Sequence, residues 1–246
     1  MTTPAIAGGE ALFSERARST KPGYPPIGNP GVLGQSLGKS TPILLGTGNL
    51  SKQDALRGLL AGLPLAPTTP SQLSSVEAPD ERGDTHQDIA NAKALHWSRS
   101  GSMLAIASDG GLVLPALGGA WESRYTHRFA GPAATNAQRL ERLLDLMRPF
   151  QGDQRQATWV EAVALADRGK LLASWELMGT TGVIADKPRT MPDTSGFWAF
   201  SVWYFPALGK TYDQLSQEQR EGLDDHLAQL RPKVREFFSL VWEPGQ

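Results

Sequence analysis

An α/β layer fold is what this sequence predicts, and three observations carry it. From Pro42 onward, strand-like and helix-like stretches alternate. The chain has 246 residues, which suits one α/β domain of ordinary core size. The apolar run from Ile43 also ends in Gly-Thr-Gly-Asn just before a helical pattern, as a strand-to-helix junction does.

In chain order, residues 1–41 form an irregular Gly/Pro-rich N-terminal arm with no sustained apolar period, and residues 42–246 form a single α/β domain. The arm's "LGKS" ends like a phosphate loop, but Leu33 stands where the first glycine belongs and Pro42 opposes a helix directly afterwards. The apolar and β-branched runs predict strands at 42–46, 64–67, 103–108, 156–167, 170–178 and 199–205. Apolar spacing predicts helices at 51–61, 85–99, 135–148, 215–222 and 224–240. Asn49 or Ser51 serves as N-cap of the first helix, and Thr85 with Asp88 resembles a capping box on the second. Asp167-Arg168-Gly169 joins two long strands as a hairpin, Gly110-Gly111 turns the chain after the 103–108 strand, and Pro232 predicts a kink or break near Arg231.

Lys plus Arg (24) nearly balances Asp plus Glu (25), so no global field draws nucleic acid or an anionic membrane, and any phosphate binding must be local. The absence of cysteine excludes disulfides, thiolate metal sites and a cysteine nucleophile. No apolar run approaches the roughly 18 residues of a membrane span, and no signal-peptide order opens the chain, so a cytoplasmic protein is expected.

Three stretches carry chemistry. "GTGNLSK" offers glycines for close backbone approach, a helix N-terminus and Lys52, which suit an anion as well as a plain turn. "ERGDTHQDIANAKALHWS" carries Asp88 and Lys93 on a capped helix. "MLAIASDGGL" delivers Ser108 and Asp109 at a strand end, where a carboxylate holds a divalent ion, orients a water or forms a turn. The four histidines, His86, His96, His127 and His226, show no metal-ligand spacing and read as surface or core residues.

In this order the three stretches resemble the inosine/xanthosine triphosphate pyrophosphatase family, over roughly residues 42–240. The family's Thr-Gly-Asn-x-x-Lys is found as Thr47-Gly48-Asn49-Leu50-Ser51-Lys52. Its Glu-x-Gly-x-Thr-Phe-x-Glu-Asn-Ala pattern is found from Glu81 to Ala90, with His86 at the phenylalanine and Asp88 at the second glutamate. Ala107-Ser108-Asp109-Gly110-Gly111-Leu112 stands for Ala-Asp-Asp-Ser-Gly-Leu, and Tyr125 to Gly131 follows the Tyr-Ser-x-Arg-Tyr-x-Gly pattern. The resemblance implies an ITPase-like (anticodon-binding/Maf-like) fold: a long mixed sheet, helices on both faces, and two lobes around a nucleotide cleft.

It also implies metal-dependent hydrolysis of a nucleoside triphosphate, of a non-standard or modified base, to monophosphate and pyrophosphate. By resemblance Asp109 and Lys52 are catalytic, and Asp88 and Asp109 bind Mg²⁺ or Mn²⁺. Thr47, Gly48, Asn49, Lys52, Lys93, Gly110 and Arg128 bind substrate, the stretch from Thr47 to Lys52 cradling the triphosphate, and the protein is a homodimer with no nucleic-acid or membrane partner. The base-reading motifs depart from the pattern. Gly196-Phe197 keeps the Gly-Phe of Gly-Phe-Gly-Tyr-Asp, but Trp198 replaces the next glycine and Phe200 stands where the aspartate belongs, and Arg220, Asp225 and His226 stand for the Lys and His-Arg set. Either the pocket reads another base, with Trp198 or Phe200 stacking on it and Asp225 accepting from an amino group, or the aromatics are core. The rival reading is a catalytically impaired nucleotide-binding homologue with a regulatory or scaffold role.

Overall fold

A computed structural model describes residues 40–73, 76–190 and 197–241. The expectation of an irregular arm therefore lies outside the described residues, except at Ser40 and at Thr41, which already opens a strand. The order is β1 (Thr41–Leu45), α1 (Leu50–Leu60), β2 (Leu65–Thr68), α2 (His86–Gly101), β3 (Leu104–Val113), α3 (Asn136–Met147), β4 (Gln156–Asp167), β5 (Lys170–Ile184), β6 (Trp203–Phe205), β7 (Lys210–Thr211), α4 (Gln217–Gly222) and α5 (His226–Glu236).

The seven strands form one mixed sheet in the order β2-β1-β3-β4-β5-β6-β7. β1 runs parallel to β2 and β3, and the remaining pairs are antiparallel. Strand alternation assigns the two faces. Leu104 and Ile106 of β3, with Val163 and Leu165 of β4, pack on Leu56 and Leu59 of α1 and on Leu230 and Val234 of α5. Their neighbours Ala107, Ala162, Ala164 and Ala166 face the other way and pack on Ala90 and Ala94 of α2. The alanines bring α2 close to the sheet, which matters below because α2 carries long polar side chains across it. A separate aromatic cluster joins Leu143 and Met147 of α3 to Trp159, Trp198, Phe200, Trp203 and Tyr212, and makes the second lobe.

Four local expectations need correction. β3 does not turn at Gly110-Gly111; it continues to Val113, pairing Gly110 with Glu161 and Gly111 with Val160 of β4. A Cβ on Gly110 would overlap the Glu161 carboxylate and the Val160 carbonyl, so glycine there serves close packing rather than a turn. Within 199–205 only residues 203–205 are strand, since Trp198–Ser201 winds into a 3₁₀ turn. Of the kink or break expected near Arg231, the break is absent: α5 continues through Pro232, the proline being exposed while Leu230 and Val234 on either side of it are anchored in the core. β5 also runs on to Ile184, past the expected end at 178. The β4–β5 hairpin forms as expected, with Arg168 (φ 45°) and Gly169 (φ 84°) both left-handed, the backbone that matches strand twist in a two-residue loop.

Candidate active site

Asp109 follows Ala105 and Ala107 along β3 and so faces α2, where two helix side chains converge on it. His86 Nδ1 lies 2.6 Å from its Oδ2 and Lys93 Nζ donates to its Oδ1 at 2.9 Å. His86 and Lys93 are seven residues apart on α2, two turns along one face, so both reach the same carboxylate. His86 Nε2 lies 3.0 Å from Ser123 Oγ, which fixes the ring at its other end. Burial alone would raise the pKa of Asp109, but the His86 hydrogen bond and the charges of Lys52, Lys93 and His86 outweigh it and bring the pKa down to about 2. The carboxylate is thus ionised throughout the physiological range.

The turn after β1 supplies the opposite wall of the cleft. Asn49 caps α1, its Oδ1 accepting from Lys52 N at 3.1 Å, and Thr47 Oγ1 accepts from Asn49 N at 3.2 Å. Gln53 holds the turn from behind by donating to the Thr47 carbonyl at 2.9 Å. The N-terminus of α1, with its partial positive charge, therefore faces a cavity of about 260 Å³ that Thr47, Gly48, Asn49, Lys52, Asp109 and Gly110 border. Lys93, Arg124 and Arg128 add positive charge, against the two carboxylates Asp109 and Glu81. Burial lowers the pKa of Lys52, Asp109 and Glu161 raise it, Lys93 lowers it, and the net direction is down.

The structure gathers most of the residues singled out in the sequence and separates two groups from them. Thr47, Gly48, Asn49, Lys52, Lys93, Asp109, Gly110, Arg128, Phe197 and Trp198 all border the first cavity. Asp88 does not: its Oδ2 accepts from Thr85 N at 3.1 Å, closing the capping box of α2. Asp88→Ala is therefore expected to lower the thermal midpoint by about 2–4 °C through the lost cap, which calorimetry checks.

Phe200, Arg220, Asp225 and His226 border a second cavity, of about 490 Å³, on the α1/α5 side of the sheet, and Phe197 borders both cavities. Trp198, 1% exposed, stacks on Phe129, and Phe200 stacks on Phe197 with ring centroids 4.7 Å apart. Both carboxylate oxygens of Asp225 are engaged, one capping α5 through Ala228 N and one accepting from the Tyr212 hydroxyl at 2.6 Å.

Three residues without an assigned role in the sequence reading border these cavities or contact a residue that does. Glu81 accepts from Lys93 Nζ at 2.5 Å and pairs with Arg128. His86 holds Asp109, and Glu161 of β4 is buried beside Gly110. Glu81 leads the quoted motif, and Glu161 is a lone charge in an apolar run, so both left a trace in the sequence. The contact of His86 with Asp109, made between α2 and the face of β3 that it covers, left none.

The bridging ammonium tests whether a divalent cation fits. Lys93 Nζ lies within hydrogen-bond distance of both Glu81 and Asp109, so two carboxylates converge on one positive charge. Hard oxygen donors of that number suit Mg²⁺, which binds one or two carboxylates together with substrate phosphates. No group of three or more His, Cys, Asp or Glu among the described residues makes an all-protein cage.

The fold and this cleft define a class: an α/β protein in which a helix N-terminus and lysines border one cavity with an ionised carboxylate. The chain belongs to the Ham1 family, whose pattern matches residues 43–228. It is 32% identical over 187 residues to a dITP/XTP pyrophosphatase of Escherichia coli K12, covering 74% of this chain and 90% of that one. A dITP/XTP pyrophosphatase of Xanthomonas axonopodis pv. citri is 33% identical over 201 residues, 78% of this chain and 96% of the relative. Among solved structures, a HAM1 protein from Coxiella burnetii matches with a TM-score of 0.64 and 25% identity, over 80% of this chain and 99% of that one. No helix among the described residues is long and apolar enough to cross a membrane.

Proposed function

We propose that this chain is a nucleoside triphosphate pyrophosphohydrolase that opens the α–β phosphoanhydride with a divalent cation, Mg²⁺ or Mn²⁺, releasing monophosphate and pyrophosphate. The observation that carries it is the α1 N-terminus with Lys52 facing the buried, ionised Asp109 across one cavity. The names of the relatives point the same way. Thr47, Gly48 and Asn49 cradle phosphate oxygens, and Lys52, Arg124 and Arg128 neutralise the charge that grows on the leaving pyrophosphate. Asp109 orients the attacking water and takes its proton, and His86 keeps the carboxylate aimed while doing so. Glu81 and Asp109 would hold the cation, which supplies Lewis acidity and lowers the pKa of a bound water. With a cation held there, Lys93 would be available to a phosphate oxygen. The family resemblance extends this reading to a cytoplasmic homodimer, which sedimentation would register as twice the chain mass.

One observation favours a second reading, a nucleotide-binding homologue without turnover: both oxygens of Asp109 already have partners. The test is a kinetic panel of standard, deaminated and modified nucleoside triphosphates with Mg²⁺ or Mn²⁺, repeated in chelator. Cation-dependent release of pyrophosphate from a subset of them is the expected result. Metal-dependent binding without release supports the second reading, and neither binding nor release contradicts both.

A further inference from the structure

The second cavity contains a carboxylate that the phosphate chemistry leaves without work. Glu161 is 5% exposed, and its Oε2 accepts one hydrogen bond, from the Trp159 indole N–H at 2.7 Å. It forms no ion pair among the described residues. Two other residues that border this cavity also have a buried polar atom without a partner, His226 Nδ1 and Arg220 Nε. A buried carboxylate with one neutral donor is costly unless a further donor arrives, and unpaired buried groups call for the same explanation. Three such groups around one cavity of about 490 Å³ mark a place where a ligand completes the hydrogen bonding.

The ligand's identity follows from position and from donor count, and rests on the nucleotide reading given above. Phe197 borders both cavities, and Glu161 packs on Gly110, which borders the first. Glu161 thus lies within reach of a nucleotide whose phosphates sit at Lys52. We propose that Glu161 determines specificity by accepting hydrogen bonds from the ring N1–H and the amino group of a 2-amino-6-oxopurine, a guanine-type base. A carboxylate only accepts, and this purine edge presents two adjacent donors to its two oxygens. Hypoxanthine offers one donor at that edge. Xanthine sets a carbonyl oxygen against the carboxylate, and adenine places an acceptor at N1. Arg220, which borders the same cavity, is the donor available to the 6-oxo group.

The test is calorimetric titration of the full chain with GMP, IMP, XMP and AMP, for the wild type and for Glu161→Gln, in parallel with turnover of the four triphosphates. The variant is isosteric and keeps an oxygen for the Trp159 indole, and circular dichroism checks its fold. GMP is expected to bind about tenfold tighter than IMP, with XMP and AMP weaker, and Glu161→Gln to erase the GMP advantage. Equal binding of GMP and IMP by the wild type, an unaltered ratio in the variant, or no binding of any monophosphate would overturn the proposal. GMP preference that disappears in Glu161→Gln, with no triphosphate turned over, would sustain the role of Glu161 and defeat the hydrolase reading. Turnover of all four bases alike in both proteins would do the reverse.

Discussion

Asp109→Asn is expected to lower turnover by about 10³-fold while preserving the native sheet. The amide still fits between His86 and Lys93 but cannot take a proton from water, and it removes one of the two carboxylates that face Lys93. Steady-state kinetics beside circular dichroism checks this, and full turnover by the Asp109→Asn variant would remove Asp109 from the mechanism. The variant also reports on acid stability. The folded pKa of Asp109, about 2, lies below its ordinary value of 3.8, so its ionised form favours the native state. That contribution, about 2 kcal/mol, is fully present above about pH 4 and is lost as the pH falls through 2. Between pH 7 and pH 4, wild type should thus exceed Asp109→Asn in stability by a nearly constant margin, and the margin should close in stronger acid.

Lys93→Met should have the second largest effect, and on stability as much as on activity. Lys93 is the cation shared by Asp109 and Glu81, and both it and Asp109 are buried. Removing one partner of a buried pair leaves an uncompensated charge, at a cost of about 3–5 kcal/mol. Denaturant unfolding measures that cost. A divalent cation can then take the vacated position between the carboxylates, so millimolar Mg²⁺ should raise the unfolding midpoint of Lys93→Met more than that of wild type. A midpoint unmoved by the substitution would mean that the bridge contributes little.

How much of this was legible in the sequence differs from residue to residue, for physical reasons. The turn from Thr47 to Lys52 was readable because cap and glycine chemistry is local: Asn49 has to stand before the helix it caps. Asp109 was readable as the first carboxylate after an apolar run, although its strand continues instead of ending there. Asp88 carried two readings in the sequence, a capping-box carboxylate and, by resemblance, a metal ligand; the capping contact with Thr85 is the one that the structure shows. His86 and Glu81 depend on contacts between α2, its preceding loop and β3, which no short-range period encodes. Glu161 could have been found, since one glutamate in the otherwise apolar "VEAVALA" requires a reason for its burial. The fold itself was the easier part, because alternation in β3 and β4 fixes which face each helix covers. The aromatic stretch at 197–205 was the exception, its turn being set by packing against α3 rather than by propensity.

The most direct measurement is the ³¹P spectrum of the products when the protein is incubated with a guanine-type or deaminated nucleoside triphosphate and Mg²⁺. Nucleoside monophosphate and pyrophosphate in equal amounts, absent with Asp109→Asn, are the expected result. Nucleoside diphosphate with orthophosphate, or the same products from the Asp109→Asn variant at the same rate, would contradict it.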